Sequence, residues 1–231
     1  NVLTIGTYKM YLQRETDWEA SPRKTTIVYA GLNASSTSSS TYWGKKVKGL
    51  EAEVAPTGKQ IVGEKDFSSA WWTTFSDDYI IPANKTLTLT FVNHSSKAEN
   101  WNNWSIVLTS DANRGATNYE EYFVLRADNF AWFKGDFNNN TGSNTSVKFT
   151  LDCNYNWLTF PDDMDGATVV MTVSREGSTI NVDADITSST GSTFYETLSV
   201  KECGNGTQPV RAFLVCDGSW FEIDTEKTYV K

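Results

Sequence analysis

The sequence predicts an all-β chain, an antiparallel two-sheet β-sandwich of jelly-roll type with little helix. Three observations carry the expectation. Apolar and polar residues alternate with period two in run after run; Gly, Asn, Asp and Ser clusters bound those runs; and only residues 157–164 read as a helical turn. Many short strands with closely spaced turn signals need a second sheet to cover their apolar faces. At 231 residues the chain is long enough for one large all-β domain or two small ones.

Taken in order, residues 1–58 read differently from the rest. They are Ser/Thr-rich at 34–41 and interrupted by Pro22 and Pro56, yet 26–30 and 49–54 are strand-like. This N-terminal segment is expected to add strands to the same sandwich or to serve as a linker, with 59–231 forming the sandwich module. Residues 86–92 alternate Leu87, Leu89 and Phe91 inward against threonines outward. Strands follow at 104–109 and 121–128. Runs at 167–174 and 179–188 flank a turn containing Gly177, and a second turn with Gly191 leads into 193–200, so the three strands read as a meander. Residues 209–215 and 220–224 supply the last strand or pair.

Composition narrows the function. Lys and Arg total 20 against 28 Asp and Glu, a net charge of -8, so the chain lacks the basic stripe that neutralises phosphates. Nucleic acid and anionic membrane surfaces are poor partners, and no apolar run is long enough to span a bilayer. The chain opens at Asn1 with no apolar signal segment and reads as a processed piece of a larger multimodular chain. One histidine, His94, and three cysteines leave little material for a histidine triad or a Cys/His zinc site. An odd cysteine count allows at most one internal bridge. Against this, 9 Trp, 10 Tyr and 12 Phe stand beside 18 Asn, 22 Ser and 29 Thr. A neutral-polar, aromatic surface suits sugar, although strands favour threonine and aromatics in any case.

The aromatics cluster. Trp71-Trp72, Trp101-Asn102-Asn103-Trp104 and Trp132-Phe133 sit in or beside polar loops. A pyranose has an apolar C–H face that stacks on an indole and hydroxyls that need placed donors and acceptors, so Trp beside Asn supplies both halves of recognition. Alternation sorts the set. Trp104 shares parity with Ile106 and Leu108 and belongs to the core, whereas Trp101 and Asn103 have the opposite parity. In 121–128, Phe123, Leu125 and Ala127 form the core face; Tyr122, Val124, Arg126 and Asp128 form a face suited to lining a ligand site, where Arg126 and Asp128 can also pair with each other.

Two further patterns compete. Glu222, Asp224 and Glu226 alternate and resemble the Glu-x-Asp-x-Glu strand of laminarinase-type family 16 glycoside hydrolases, whose outer glutamates act about 5 Å apart as nucleophile and acid/base. Here the motif lies within ten residues of Lys231 rather than mid-chain. The loops at 76–78, 111–113 and 162–165 are oxygen-rich. A structural calcium there stays open, although Asp/Asn clusters usually make turns and no EF-hand spacing is present. No other cofactor is called for.

With residues 66–77, then Trp101-Asn102-Asn103-Trp104, then 122–128, the chain resembles non-catalytic carbohydrate-binding modules over about residues 60–225. Such modules are appended to secreted polysaccharide-degrading enzymes and surface glycan-binding proteins of Gram-negative saccharolytic bacteria. The resemblance implies a jelly roll that binds a polysaccharide or oligosaccharide without cleaving it, often a β-linked plant glucan or hemicellulose, at a secreted or cell-surface location. On this reading Trp72, Trp101 and Trp132 stack on sugar rings, while Asn103, Tyr122, Arg126 and Asp128 hydrogen-bond hydroxyls. The alternatives are a hydrolase using Glu222 and Glu226, and a structural or adhesin sandwich whose aromatics are packing or protein interface.

Overall fold

The structure, a computed structural model, describes residues 2–5, 8–17, 24–33, 42–43 and 58–231 apart from 64, 66, 68–71, 115, 134–135 and 142–148. The chain divides into two compact units, Asn1–Gly58 and Lys59–Lys231. In the first, β1 (Val2–Ile5), β2 (Tyr8–Asp17), β3 (Lys24–Asn33) and β4 (Tyr42–Trp43) form an antiparallel sheet in that order. The strand-like run at 26–30 falls inside β3; the run at 49–54 and the serine-rich stretch at 34–41 lie outside the described residues.

The second unit contains β5 (Lys59–Val62), β6 (Tyr79–Ile81), β7 (Thr86–Ser95), β8 (Ser105–Ser110), β9 (Glu121–Arg126), β10 (Phe130–Phe133), β11 (Asp136–Thr141) and β12 (Phe149–Cys153). After these come α1 (Phe160–Met164), β13 (Ala167–Glu176), β14 (Thr179–Thr187), β15 (Thr193–Val200), β16 (Val210–Val215), β17 (Ser219–Asp224) and β18 (Tyr229–Val230). They make a two-sheet antiparallel sandwich. The larger sheet runs β12-β15-β14-β13-β7-β17-β5 with β18 paired to β7, and the smaller runs β11-β10-β9-β8-β16-β6.

The larger sheet follows the alternation directly. Leu87, Leu89 and Phe91 of β7, Val169, Met171 and Val173 of β13, and Val182, Ala184 and Ile186 of β14 are buried, while the residues between them are mostly half-buried or exposed. The expected meander is β13-β14-β15. Glu176 pairs with Thr179 around Gly177, whose φ of 60° at the first central position fits the type II′ hairpin. Ile106, Leu108, Phe123, Leu125, Ala212 and Leu214 meet these residues from the smaller sheet in one core. Trp104 lies fully buried there as its parity predicts, edge-on to Phe91 at 6.5 Å.

The smaller sheet departs from the expectation that Tyr122, Val124, Arg126 and Asp128 share one open face. Its outer side is covered too: Val107, Val124, Phe213 and Val215 are fully buried in a second cluster packed by Trp72, Phe75 and Trp132. Tyr122 leaves that face for another reason. Leu108 pairs with Phe123 and Thr109 with Glu121, so Tyr122 is the extra residue of a β-bulge, and it packs against the main core. The helical turn forms as α1, with Phe160 and Met164 buried. No disulfide joins Cys153, Cys203 and Cys216; Cys203 and Cys216 are buried, and burial pushes the Cys203 thiol up to about 12.

Candidate functional site

The Trp101-Asn102-Asn103 segment is a turn that ends before Trp104 leads into β8, because Asn102 N–H donates to Glu99 O (3.0 Å) and Asn103 N–H to Trp101 O (2.8 Å). Alternation therefore does not govern it. Both asparagines point inward and hold the loop. Asn102 Nδ2 donates to Asp217 O (3.0 Å), and its Oδ1 accepts from Ser96 Oγ (3.1 Å). Asn103 Nδ2 donates to Asn100 O (2.8 Å), and its Oδ1 accepts from Asn93 Nδ2 (2.9 Å). Gly218, at φ 63°, makes room for this: a Cβ there would sit 2.5 Å from Asn102 Nδ2. With its neighbours anchored, Trp101 keeps 42% of its surface exposed.

Beside Trp101 lies the β9–β10 turn. Arg126 donates through Nε to Asp128 Oδ1 (2.9 Å) and through Nη2 to Oδ2 (2.5 Å), a fork-to-fork pair. Its guanidinium also lies over Phe130 at 4.3 Å and 6.0 Å from the Trp101 ring centroid. The turn closes because Asn129 takes a φ of 57°, a left-handed position asparagine tolerates. Lys97, Glu99, Trp101, Arg126, Asp128 and Pro161 line an open pocket of ≈ 370 Å³ here. Lys97 ties its two loops together, bonding Asp162 Oδ1 (3.2 Å) and Asp165 Oδ2 (3.3 Å), and both carboxylates raise the lysine's pKa.

The seven candidates thus separate. Trp101, Arg126 and Asp128 come together at this pocket. Trp132 pairs with Val124 and lies 6.1 Å from Phe130, so it continues the same side of the smaller sheet, and Trp72 packs on the same outer cluster. Asn103 is buried with its amide engaged, which makes it a support for the loop. Tyr122 sits at Gly204, where a Cβ would lie 2.6 Å from its hydroxyl, near Arg175 and Cys203 rather than at the pocket. Reading residue by residue missed Phe130, Lys97 and Pro161. Phe130 was findable from the hairpin, since it is the cross-strand partner of Arg126.

Below the pocket a buried acid supports the turn. Tyr155 Oη donates to Glu196 Oε2 at 3.0 Å, and neither residue has more than marginal exposure. Burial, reinforced by the Asp128 charge, pushes the Glu196 carboxyl well above the usual carboxylate range, and burial together with Glu196 pushes the Tyr155 phenol up.

The competing patterns fall elsewhere. Strand β17 ends at Asp224, whose Oδ1 accepts from the Glu226 and Lys227 N–H groups (3.1 and 3.2 Å), so Glu226 lies in a turn beyond the strand. Glu222 faces Lys59 (2.7 Å) and His94 (3.3 Å), and the Lys59 hydrogen bond holds its carboxyl below the usual range. That favours an ion-paired carboxylate over a proton donor. Of the oxygen-rich loops, Asp78 bonds Arg114 and Arg211 at 2.9 and 2.7 Å, and Asp111 lies 3.5 Å from Arg211. Among the described residues no group of three or more His, Cys, Asp or Glu side chains converges to hold a metal.

Compared with known protein families and with curated proteins, the chain matches no family model and no curated sequence.

Proposed function

We propose that the second unit binds polysaccharide without cleaving it, through tryptophan stacking and polar contacts, and so targets an enzyme or a cell surface to its glycan. The ligand class is a β-linked plant glucan or hemicellulose, and the setting is extracellular, secreted or cell-surface. One observation carries the reading: Trp101 stands exposed beside Arg126, whose guanidinium is held by paired bonds to Asp128 and lies over Phe130 at an open pocket. An indole face offers apolar area to a sugar ring, and a pre-oriented guanidinium and carboxylate offer donors and acceptors at little further entropic cost. Trp132 and Trp72 lengthen the aromatic side of the same sheet. Glu222 and Glu226 do not stand together on one strand, as the Glu-x-Asp-x-Glu pattern would have them.

Native affinity electrophoresis in gels containing soluble β-glucan or hemicellulose tests the reading. The protein is expected to be retarded, and Trp101→Ala to migrate as it does in a gel without polysaccharide. Equal migration of the unaltered protein with and without every polysaccharide tried would sink it.

A further inference from the structure

We propose that the site continues from Trp101 onto Trp157 and Leu158 and takes an uncharged glycan chain along its length rather than a single terminal sugar. This rests on the polysaccharide-binding reading above and names its ligand more narrowly. The loop before α1 presents Trp157 at 46% and Leu158 at 94% exposure, two of the largest apolar exposures among the described residues. Scattered exposed apolar residues need no explanation, but these two adjoin each other, and the helix that the loop leads into lines the pocket through Pro161.

The loop is not loosely displayed. Tyr155 and Phe160 anchor it in the core, and Trp157 packs against them with ring centroids 5.4 and 5.0 Å away. Asn156 fixes the tip: its Oδ1 accepts from Leu158 N–H (3.2 Å), and its backbone O accepts from Thr159 N–H (3.1 Å). Lys97 and the Ser95 N–H, which donates to Asp165 Oδ1 at 3.1 Å, tie α1 and its C-cap to the segment that leads into the Trp101 loop. One exposed tryptophan lines the open pocket, and a second stands on the segment that leads into the helix whose Pro161 lines it, an arrangement that matches a ligand longer than one ring.

Charge selects the chemistry. Both cations at the site, Lys97 and Arg126, are held by carboxylates, Lys97 by two of them, and Glu99 in the pocket lining adds further negative charge. A uronate or sulfated glycan would meet net repulsion; a neutral one meets hydroxyl-matching groups and two apolar faces.

The experiment is titration calorimetry with neutral β-linked oligosaccharides of increasing length, together with affinity gels containing either neutral polysaccharide or polygalacturonate. For the unaltered chain, affinity is expected to rise with length and polygalacturonate to cause no retardation. Trp157→Ala should lower affinity for the longest oligosaccharide about tenfold and leave the shortest unchanged, with Trp157→Phe intermediate. Leu158→Ser, at a position too exposed to disturb the core, should give a several-fold loss. The proposal is overturned if the Trp157 and Leu158 variants keep the full length dependence, if polygalacturonate binds better than neutral glycan, or if the substitutions break up a dimer while glycan binding stays intact. When Trp101→Ala weakens binding and the Trp157 variants do not, only the extension fails. Should Trp101→Ala bind as the unaltered chain does, the polysaccharide site itself is misplaced.

Discussion

Trp101 and Trp104, three residues apart, occupy opposite environments: Trp104 has no exposed surface and sits edge-on to Phe91, while Trp101 keeps 42% of its surface beside Arg126. The pair makes a within-motif control. Trp101→Ala is expected to abolish glycan retention with its melting temperature nearly unchanged. Trp104→Ala should cost about 3–5 kcal/mol of stability through the cavity it leaves. Thermal or urea denaturation of the two variants separates the roles; a large stability loss for Trp101→Ala would mark it as packing.

Arg126→Lys keeps the charge but not the fork. Lysine cannot make the parallel bonds to both Asp128 oxygens or lie flat over Phe130. Glycan affinity is expected to fall by about tenfold or more, the scale of a lost hydrogen bond to a charged group. Calorimetry reads it directly. Unchanged affinity would show that the guanidinium plane takes no part.

Asn103→Ala should act through the loop. It removes the buried acceptor of Asn93 Nδ2 and the part-buried bond to Asn100 O, at an expected cost of about 1–3 kcal/mol. Glycan affinity then falls only as far as Trp101 loses its fixed position. If stability is unaffected but binding disappears, Asn103 contacts sugar directly.

Glu196 gives a pH dependence with a definite sign. Its carboxyl titrates higher folded than unfolded, so the folded state retains a proton that the unfolded chain releases. Its contribution to stability is full below the ordinary carboxylate pKa of about 4.3 and is lost as pH rises toward the folded value. Glu196→Gln keeps an acceptor for Tyr155 and cannot ionise. Its melting temperature should match the unaltered protein near pH 4 and exceed it increasingly toward neutrality. Parallel curves for the two proteins would contradict a proton held at Glu196.

Glu222 should show the reverse. Its folded pKa is lowered, chiefly by Lys59, so its stabilisation is present above the ordinary carboxylate pKa and is lost as pH falls. The pair is largely exposed on the lysine side, so Glu222→Gln should cost under about 1 kcal/mol at neutral pH. Reducing-sugar release from glucan that vanishes in this variant would instead revive the hydrolase alternative.

The larger sheet was legible because one of its faces meets water: β7, β13 and β14 must alternate, and the sequence shows it. The smaller sheet hid its second cover. Val107, Val124, Phe213 and Val215 read like ordinary strand residues, and nothing local announces that Trp72 and Trp132 close over them. Parity also failed where the backbone left the ladder, at the bulge that turns Tyr122 and in the turn that buries Asn103. The candidate site was partly legible, in Trp101 and the Arg126/Asp128 pair, because adjacent turn residues place them whatever the rest of the chain does.

The sequence by itself determined the all-β class, the β13-β14-β15 meander and the burial of Trp104, since each follows from period-two patterning and nearby turn residues. Only the tertiary structure decided which aromatics stay exposed and what they face. Exposure depends on residues remote in sequence arriving to cover a ring or failing to: Trp72 reaches Phe213, while Trp101 meets Arg126 and shares its pocket with Pro161. Local patterning fixes which side of a strand a residue takes, but long-range packing fixes whether that side meets protein or water.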